Sequence, residues 1–377
     1  MKVDDFIKII NTDFFTGVPD SQLKALCDYL MDTYGTSNQH HIIAANEGNA
    51  SSIAAGYYLA TGRYPAVYMQ NSGLGNTINT LTSLLSENVY AIPCIFIIGW
   101  RGEPGEYDEP QHIFLGMVTC KLLEDMGVKY CILSADTSVE ELQYKMQTLQ
   151  NDLRKGKSIA FVVRKKALEY ETKAVYRGNG SISREEIIQH ILNVTSDDLI
   201  VCTTGKASRE LFETRERRGE NHKRDFLTVG SMGHASSIAL GISLRTDKKV
   251  WCIDGDGAVL MHMGAMGTIG NIKPWNLKHI LIDNGAHESV GGMPVSNRNV
   301  DYCKIAEGCG YEYVYKISRN DDIENILKKV RNNGKLSFAA IPASLVSRKD
   351  LIRPKITPVE NKKEFMEVIW KGKGGTL

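Results

Sequence analysis

Displaced by 185 positions, the sequence overlays itself without a gap. Ala50-Ser51-Ser52-Ile53-Ala54 falls on Ala235-Ser236-Ser237-Ile238-Ala239, and Gly56, Leu59 and Thr61 fall on Gly241, Leu244 and Thr246. Eight of the twelve positions from 50 to 61 are identical. The same displacement lays the apolar run Ala66 to Met69 on Trp251 to Asp254, Asn71 on Asp256, and Cys94 to Ile98 on His279 to Asp283. With a three-residue adjustment, Thr16-Gly17 falls on Thr204-Gly205. Chance likeness between two Ala/Ser/Gly-rich helices does not hold strands and loops in one register, so the chain reads as two homologous domains.

Strand-length apolar runs recur at Ala66 to Met69, Cys94 to Ile98, Ile159 to Val163, Leu199 to Cys202, Val250 to Ile253, His279 to Ile282 and Phe338 to Ile341. Most are separated by segments long enough for a helix, which predicts an α/β fold with a parallel sheet in each domain. The pattern lapses at Arg164-Lys165-Lys166 and again at Tyr176-Arg177-Gly178-Asn179-Gly180, and Ser183 followed by Glu186 has the spacing of a capping box. The expected domains are therefore 1–165 and 183–355, joined by a linker at 166–182. The basic, Gly-rich tail at 356–377 is expected to be loosely attached.

At 377 residues and 42% hydrophobic content, there is enough apolar material for two cores. Lys and Arg number 45 against 44 Asp and Glu, a net charge of +1, which gives no global field for nucleic acid or an anionic membrane. There is no long apolar stretch for a membrane span, and the start MKVDDFIKII does not read as a secretion leader. The eight cysteines lack metal-ligand spacing, and most sit in apolar runs as reduced thiols. A cytoplasmic protein is expected.

Two loops carry chemistry. The run Val250 to Ile253 leads into Asp254-Gly255-Asp256-Gly257-Ala258, and His279 to Ile282 leads into Asp283-Asn284-Gly285-Ala286. Both are expected at the carboxyl ends of parallel strands, where open α/β sheets place ligands. Asp256 and Asn284 are hard oxygen donors one βαβ crossover apart, and magnesium takes few protein oxygens, completing its octahedron with phosphate and water. Gly255 and Gly257 let backbone approach a diphosphate. A lone acidic glycine turn is common; this one followed by a strand and Asn-Gly is more specific.

Together these loops resemble the signature of thiamine-diphosphate (ThDP) enzymes. The resemblance implies that Asp256, Asn284 and the backbone of Ala286 hold magnesium. Asp283 stands where the family often has Asn, at a position that is not a ligand. Ala45-Asn46-Glu47-Gly48-Asn49-Ala50 resembles the segment that sets a glutamate against the cofactor's pyrimidine, which makes Glu47 the activating acid. Gly230-Ser231-Met232-Gly233 resembles the loop whose bulky side chain, here Met232, bends the cofactor. Met232 lies 185 residues after Glu47, so the two occupy equivalent places in the paired domains. Ser231, Gly205 and Ala258 join the cofactor-binding set. Lys206 either contacts the diphosphate or is solvated.

With no room for a third, middle domain, the chain resembles the short ThDP-dependent decarboxylases, which act on phosphonopyruvate or sulfopyruvate. That family joins a pyrimidine-binding (PYR) domain directly to a diphosphate-binding (PP) domain. It places the cofactor between domains of different subunits, which implies a homo-oligomer with active sites at the subunit interface. Three segments resemble the phosphonopyruvate branch: Gly17-Val18-Pro19-Asp20-Ser21, Trp100 to His112, and Asp283 to Gly292. The implied reaction is decarboxylation of phosphonopyruvate to phosphonoacetaldehyde. A phosphonate dianion needs cationic or N–H donors, for which Arg101, His112, His234 and His287 are the candidates. Asp20 and His112 are candidates to orient substrate or relay a proton. Sulfopyruvate decarboxylation, carboligation and a non-catalytic ThDP-binding role are the alternatives.

Overall fold

The computed structural model describes residues 1–36, 39–296, 299–318 and 321–371; the end of the expected tail, 372–377, lies outside them. The chain divides into two compact units, Met1–Val175 and Tyr176–Leu377. The first is a six-stranded sheet of β1 (Phe15–Gly17), β2 (His41–Ile43), β3 (Ala66–Gln70), β4 (Ile95–Gly99), β5 (Lys129–Leu133) and β6 (Ile159–Val163), in the order β2-β1-β3-β4-β6-β5. All its pairings are parallel. β3, β4 and β6 are apolar without alternation because helices cover both faces, as parallel sheets require.

The second unit contains β7 (Leu199–Cys202), β8 (Asp225–Leu227), β9 (Val250–Gly255), β10 (Leu277–Asp283), the small hairpin β11 (Ala286–His287) and β12 (Met293–Pro294), then β13 (Tyr313–Lys316) and β14 (Ser337–Pro342). Its main sheet runs β13-β14-β10-β9-β7-β8. Read from the other edge this is the order of the first unit, strand for strand. The overlay of the sequence on itself is thus an overlay of two folds with one topology.

Register refines that overlay. Ala66 pairs with Phe15 and Trp251 with Ile200, so the displacement of 185 holds through β1 and β7 as well. The three-residue adjustment that set Thr16-Gly17 on Thr204-Gly205 is therefore wrong; Gly17 matches Cys202. Gly17 lies inside a strand, where a Cβ would collide with the Tyr68 backbone, whereas Gly205 lies beyond its strand at φ +95°. In the next strand Ala66 pairs with Ile95 but Trp251 with Lys278, two residues short of the uniform displacement. An even slip keeps every side chain on its own face.

Residues 166–182 divide between the units. Ala167 and Leu168 are buried in the first, where Lys2 bridges Glu169, and Gly180 donates to Ala343 O at 2.7 Å in the second. The tail departs from expectation: Pro358–Lys371 is a helix whose Asn361 and Phe365 are buried. No helix among the described residues is long and apolar enough to cross a membrane.

Candidate active site

In the first unit the candidate residues gather at the carboxyl ends of β1, β3 and β4. Glu47 opens the helix Glu47–Thr61, whose N-cap Asn46 accepts from Asn49 N at 2.8 Å. The Glu47 side chain is 5% exposed, and its Oε2 accepts from Asn76 Nδ2 at 2.7 Å. Gly73, in the turn after β3, leaves the carboxylate just enough space. Asp20, after β1, is buried; it accepts from Gln70 Nε2 at 2.5 Å and from Gln22 N at 3.1 Å. Burial raises its pKa, against the lowering effect of these hydrogen bonds and of Arg101.

Arg101 is committed to a neighbour. Its Nε donates to Asp108 Oδ2 at 2.7 Å, Nη2 donates to the other carboxylate oxygen, and Nη1 reaches Ser21 Oγ at 3.3 Å. Asp108 also accepts from Gly102 N at 2.9 Å. The fork expected to await a phosphonate is thus oriented by a carboxylate, which leaves the outer N–H groups of Nη1 and Nη2 for a second anion. His112 is partly buried nearby; burial and the Arg101 charge depress its pKa to about 4.

In the second unit the loops after β9 and β10 come together. Asp256 is buried; its Oδ1 accepts from Gly257 N at 2.9 Å and its Oδ2 from Gly285 N at 2.8 Å. Gly285 N also donates to Asp283 Oδ1 at 3.1 Å, so one amide is shared by two carboxylates. Burial, and then the negative charge of Asp283, raise the Asp256 pKa. A divalent cation would reverse that balance, so this donor set fits one. Asn284 is buried beside them, its Oδ1 accepting from Ala286 N at 3.1 Å. Gly255 faces open space, whereas a Cβ on Gly257 would sit 3.3 Å from His287 Cε1 and 3.4 Å from Met232 Cε.

The turn that carries Met232 is held in an unusual backbone: Gly230, Ser231 and Gly233 all have positive φ, and at Ser231 (47°) this carries a steric cost. The turn rests on the helix Asp256–Met261, which contains the buried Ala258; a Cβ on Gly233 would come 2.8 Å from Ala258 O. Gly205 precedes the helix Lys206–Arg217 and faces open space. Lys206 donates to Glu288 Oε1 at 3.1 Å and to Ser347 Oγ at 2.7 Å, so it is not merely solvated.

The four candidate anion donors divide between the units. Arg101 and His112 belong to the first unit, His234 and His287 to the second. His234 is exposed, packs on the His262 ring at 4.2 Å, and sits 3.3 Å from Ser231 O. Burial depresses His287 to about 4. His112 and His287 are therefore neutral N–H donors near pH 7, one of the two kinds of donor expected from the sequence.

Residue-by-residue reasoning missed the partners. Asp108 and Glu288 both lie in segments singled out above, but Asp108 acts through Arg101, seven residues away, and Glu288 through Arg184, 104 residues away. Glu288 accepts from Arg184 Nη1 at 2.6 Å, and Arg184 grips Glu210 through Nε and Nη2 at 2.6 and 2.8 Å. Burial would raise Glu288, but Arg184, Ser347 and Lys206 hold it below the usual carboxylate range.

The first unit thus carries a buried carboxylate, Glu47, near its strand ends, and the second carries the buried Asp256 and Asn284, a donor set that fits a cation, at its own. Residues 4–118 match the family described as "Thiamine pyrophosphate enzyme, N-terminal TPP binding domain", and residues 203–341 match "Thiamine pyrophosphate enzyme, C-terminal TPP binding domain". Paired lobes of this kind define a ThDP-dependent enzyme.

The chain is 32% identical to the phosphonopyruvate decarboxylase of Streptomyces viridochromogenes, over 96% of its own length and 92% of that protein. It is 33% identical to the phosphonopyruvate decarboxylase of Streptomyces hygroscopicus, over 93% and 89%. To the sulfopyruvate decarboxylase of Methanosarcina acetivorans it is 28% identical, over 98% and 97%. The chain belongs to the phosphonopyruvate decarboxylase family and is a ThDP-dependent decarboxylase.

Proposed function

We propose that this enzyme removes carbon dioxide from 3-phosphonopyruvate to give phosphonoacetaldehyde, with ThDP held through Mg²⁺. The observation that carries the substrate reading is Arg101, fixed by Asp108 and Ser21 near Asp20, with N–H donors left over for a dianion. The likeness to two phosphonopyruvate decarboxylases supports it. Asp256, Asn284 and the backbone of Ala286 hold the metal, and Glu47 holds a proton at the pyrimidine N1′. When bound, ThDP supplies a thiazolium carbon that accepts the electron pair of the breaking C–C bond.

The rest falls to the protein. Met232 would be the side chain against which the cofactor bends, Gly255, which faces open space, would leave room for its diphosphate, and Gly257 would let the Asp256 loop pack closely against His287 and Met232. Asp20, whose pKa burial raises, is suited to hold the proton that takes the place of the departing carboxylate. Arg101, with neutral His112, binds the phosphonate and so favours a doubly anionic substrate over pyruvate. His234 and His287 are secondary candidates for substrate contact. The enzyme works as a homo-oligomer with active sites at the subunit interface, in the cytoplasm, at the aldehyde-forming step of phosphonate biosynthesis.

Glu47→Gln tests the central assignment. It is expected to retain ThDP, measured by equilibrium dialysis, while carbon dioxide release falls by several orders of magnitude. Unchanged turnover removes Glu47 from its role. The second reading is sulfopyruvate decarboxylation, favoured by the archaeal relative. Parallel assays on the two oxo acids separate them, and a higher kcat/KM on sulfopyruvate overturns the first.

A further inference from the structure

An asparagine amide has one oxygen end and one nitrogen end, and only the oxygen can bind a cation. Which end of Asn284 faces the Asp256 loop is decided by its surroundings. Its Nδ2 points to Glu288 Oε2 at 3.4 Å. That is long for a hydrogen bond, but the reversed amide would set an oxygen against a carboxylate, two acceptors with no proton between them. The orientation is thus selected from both ends: Ala286 N donates to Oδ1 at 3.1 Å, and the Glu288 carboxylate excludes the reversed amide by polarity.

Glu288 is well placed to impose that choice because both its oxygens are held, Oε2 by Arg184 as well as facing Asn284, and Oε1 by Lys206. Arg184 Nη1 donates to it at 2.6 Å and Lys206 Nζ at 3.1 Å, and Arg184 is itself locked by the buried Glu210. The Glu288 side chain is 10% exposed, so water offers Asn284 little competition for it. Arg184 opens the helix Arg184–Thr195, and Lys206 opens Lys206–Arg217, so the clamp is anchored on two helices.

We propose that Glu288 is a positioning residue: it holds the nitrogen end of Asn284 and so turns Oδ1 toward the divalent cation. This rests on the reading of Asp256 and Asn284 as cation ligands. Residues that orient a ligand in this way are worth about 10- to 100-fold in metal affinity.

The test is titration of the cofactor-free chain with Mn²⁺ in the presence of saturating ThDP, following free Mn²⁺ by electron paramagnetic resonance. Glu288→Gln is expected to weaken Mn²⁺ binding about 10- to 100-fold. Glu288→Asp, which keeps the negative charge but shortens its reach toward Asn284, is expected to show a loss of the same order should the first variant fold poorly. The decisive comparison uses Asn284→Asp, whose two ligand oxygens are equivalent. Adding Glu288→Gln to that background is expected to cost nothing and to improve binding by removing a negative neighbour. Equal losses in both backgrounds would mean that Glu288 only supports the fold, and no loss in either would mean that it has no role. Asp256→Ala is run alongside: if it binds Mn²⁺ and ThDP normally, the cation site itself is misassigned, a failure distinct from that of Glu288.

Discussion

Gly73 stands directly against the Glu47 carboxyl group: a Cβ on Gly73 would come to 2.5 Å from Glu47 Cδ and Cγ. The nearest obstacle is thus a side chain at the start of a helix, not backbone. Gly73→Ala is expected to fold with Tm within a few degrees of wild type, because Glu47 can rotate away. Activity should suffer more, since displacing a catalytic group by about 1 Å costs on the order of 100-fold. Thermal melts and kcat measured together check this. A variant with normal kcat would show that the position of Glu47 is not critical.

The same turn illustrates what the sequence reveals and what it hides. Asn71 was matched to Asp256 by the simple displacement, and both begin the turn or helix that follows a central strand. With the two-residue slip between β4 and β10, Arg101 takes the place of Asn284. Asn71 exchanges hydrogen bonds with the Arg101 backbone, at 3.2 and 2.8 Å, where Asp256 meets the backbone of the residue after Asn284. The loops after β4, β9 and β10 were legible because each is contiguous and lies at the end of an apolar run. β2 and β8 were not, because three residues that include a buried His41 or Asp225 give no apolar run. Nor were the clamps on Arg101 and Asn284. Arg184 and Glu288 are 104 residues apart, and no periodicity records that meeting.

His41 gives the first unit a definite acid limit. Gly35 O lies 2.7 Å from Nδ1 and can only accept, so Nδ1 carries the proton and Nε2 accepts from Tyr68 OH at 2.8 Å. Burial depresses its pKa to about 4, against an ordinary value of 6.5. The unfolded chain therefore takes up the proton first as pH falls. The stability from keeping His41 neutral is intact above about pH 6.5 and is lost progressively toward pH 4, on the order of 3 kcal/mol in all. Melting curves between pH 7.5 and 4.5 should fall more steeply for wild type than for His41→Asn. Parallel curves would show that His41 does not set the limit.

The final helix was hidden by its composition, although Thr357 and Glu360 form a capping box around Pro358. What holds it is an edge. β8 ends its sheet, and Asn361 satisfies both exposed polarities of that strand: Oδ1 accepts from Leu227 N at 3.0 Å and Nδ2 donates to Asp225 O at 2.7 Å. Phe365 packs beside Phe226 with ring centroids 5.7 Å apart. Asn361→Ala leaves a buried donor and acceptor without partners, for a cost of about 1–3 kcal/mol. Phe365→Ala should cost about 3–5 kcal/mol. Removing the helix altogether would bare the strand edge, so that variant should aggregate as it unfolds. Urea denaturation and light scattering on the three variants check the order, with kcat of the two point variants expected near wild type because neither residue borders the strand ends that carry the site. If Asn361→Ala matches wild type in its urea midpoint, water has replaced both bonds and the helix is not what seals β8.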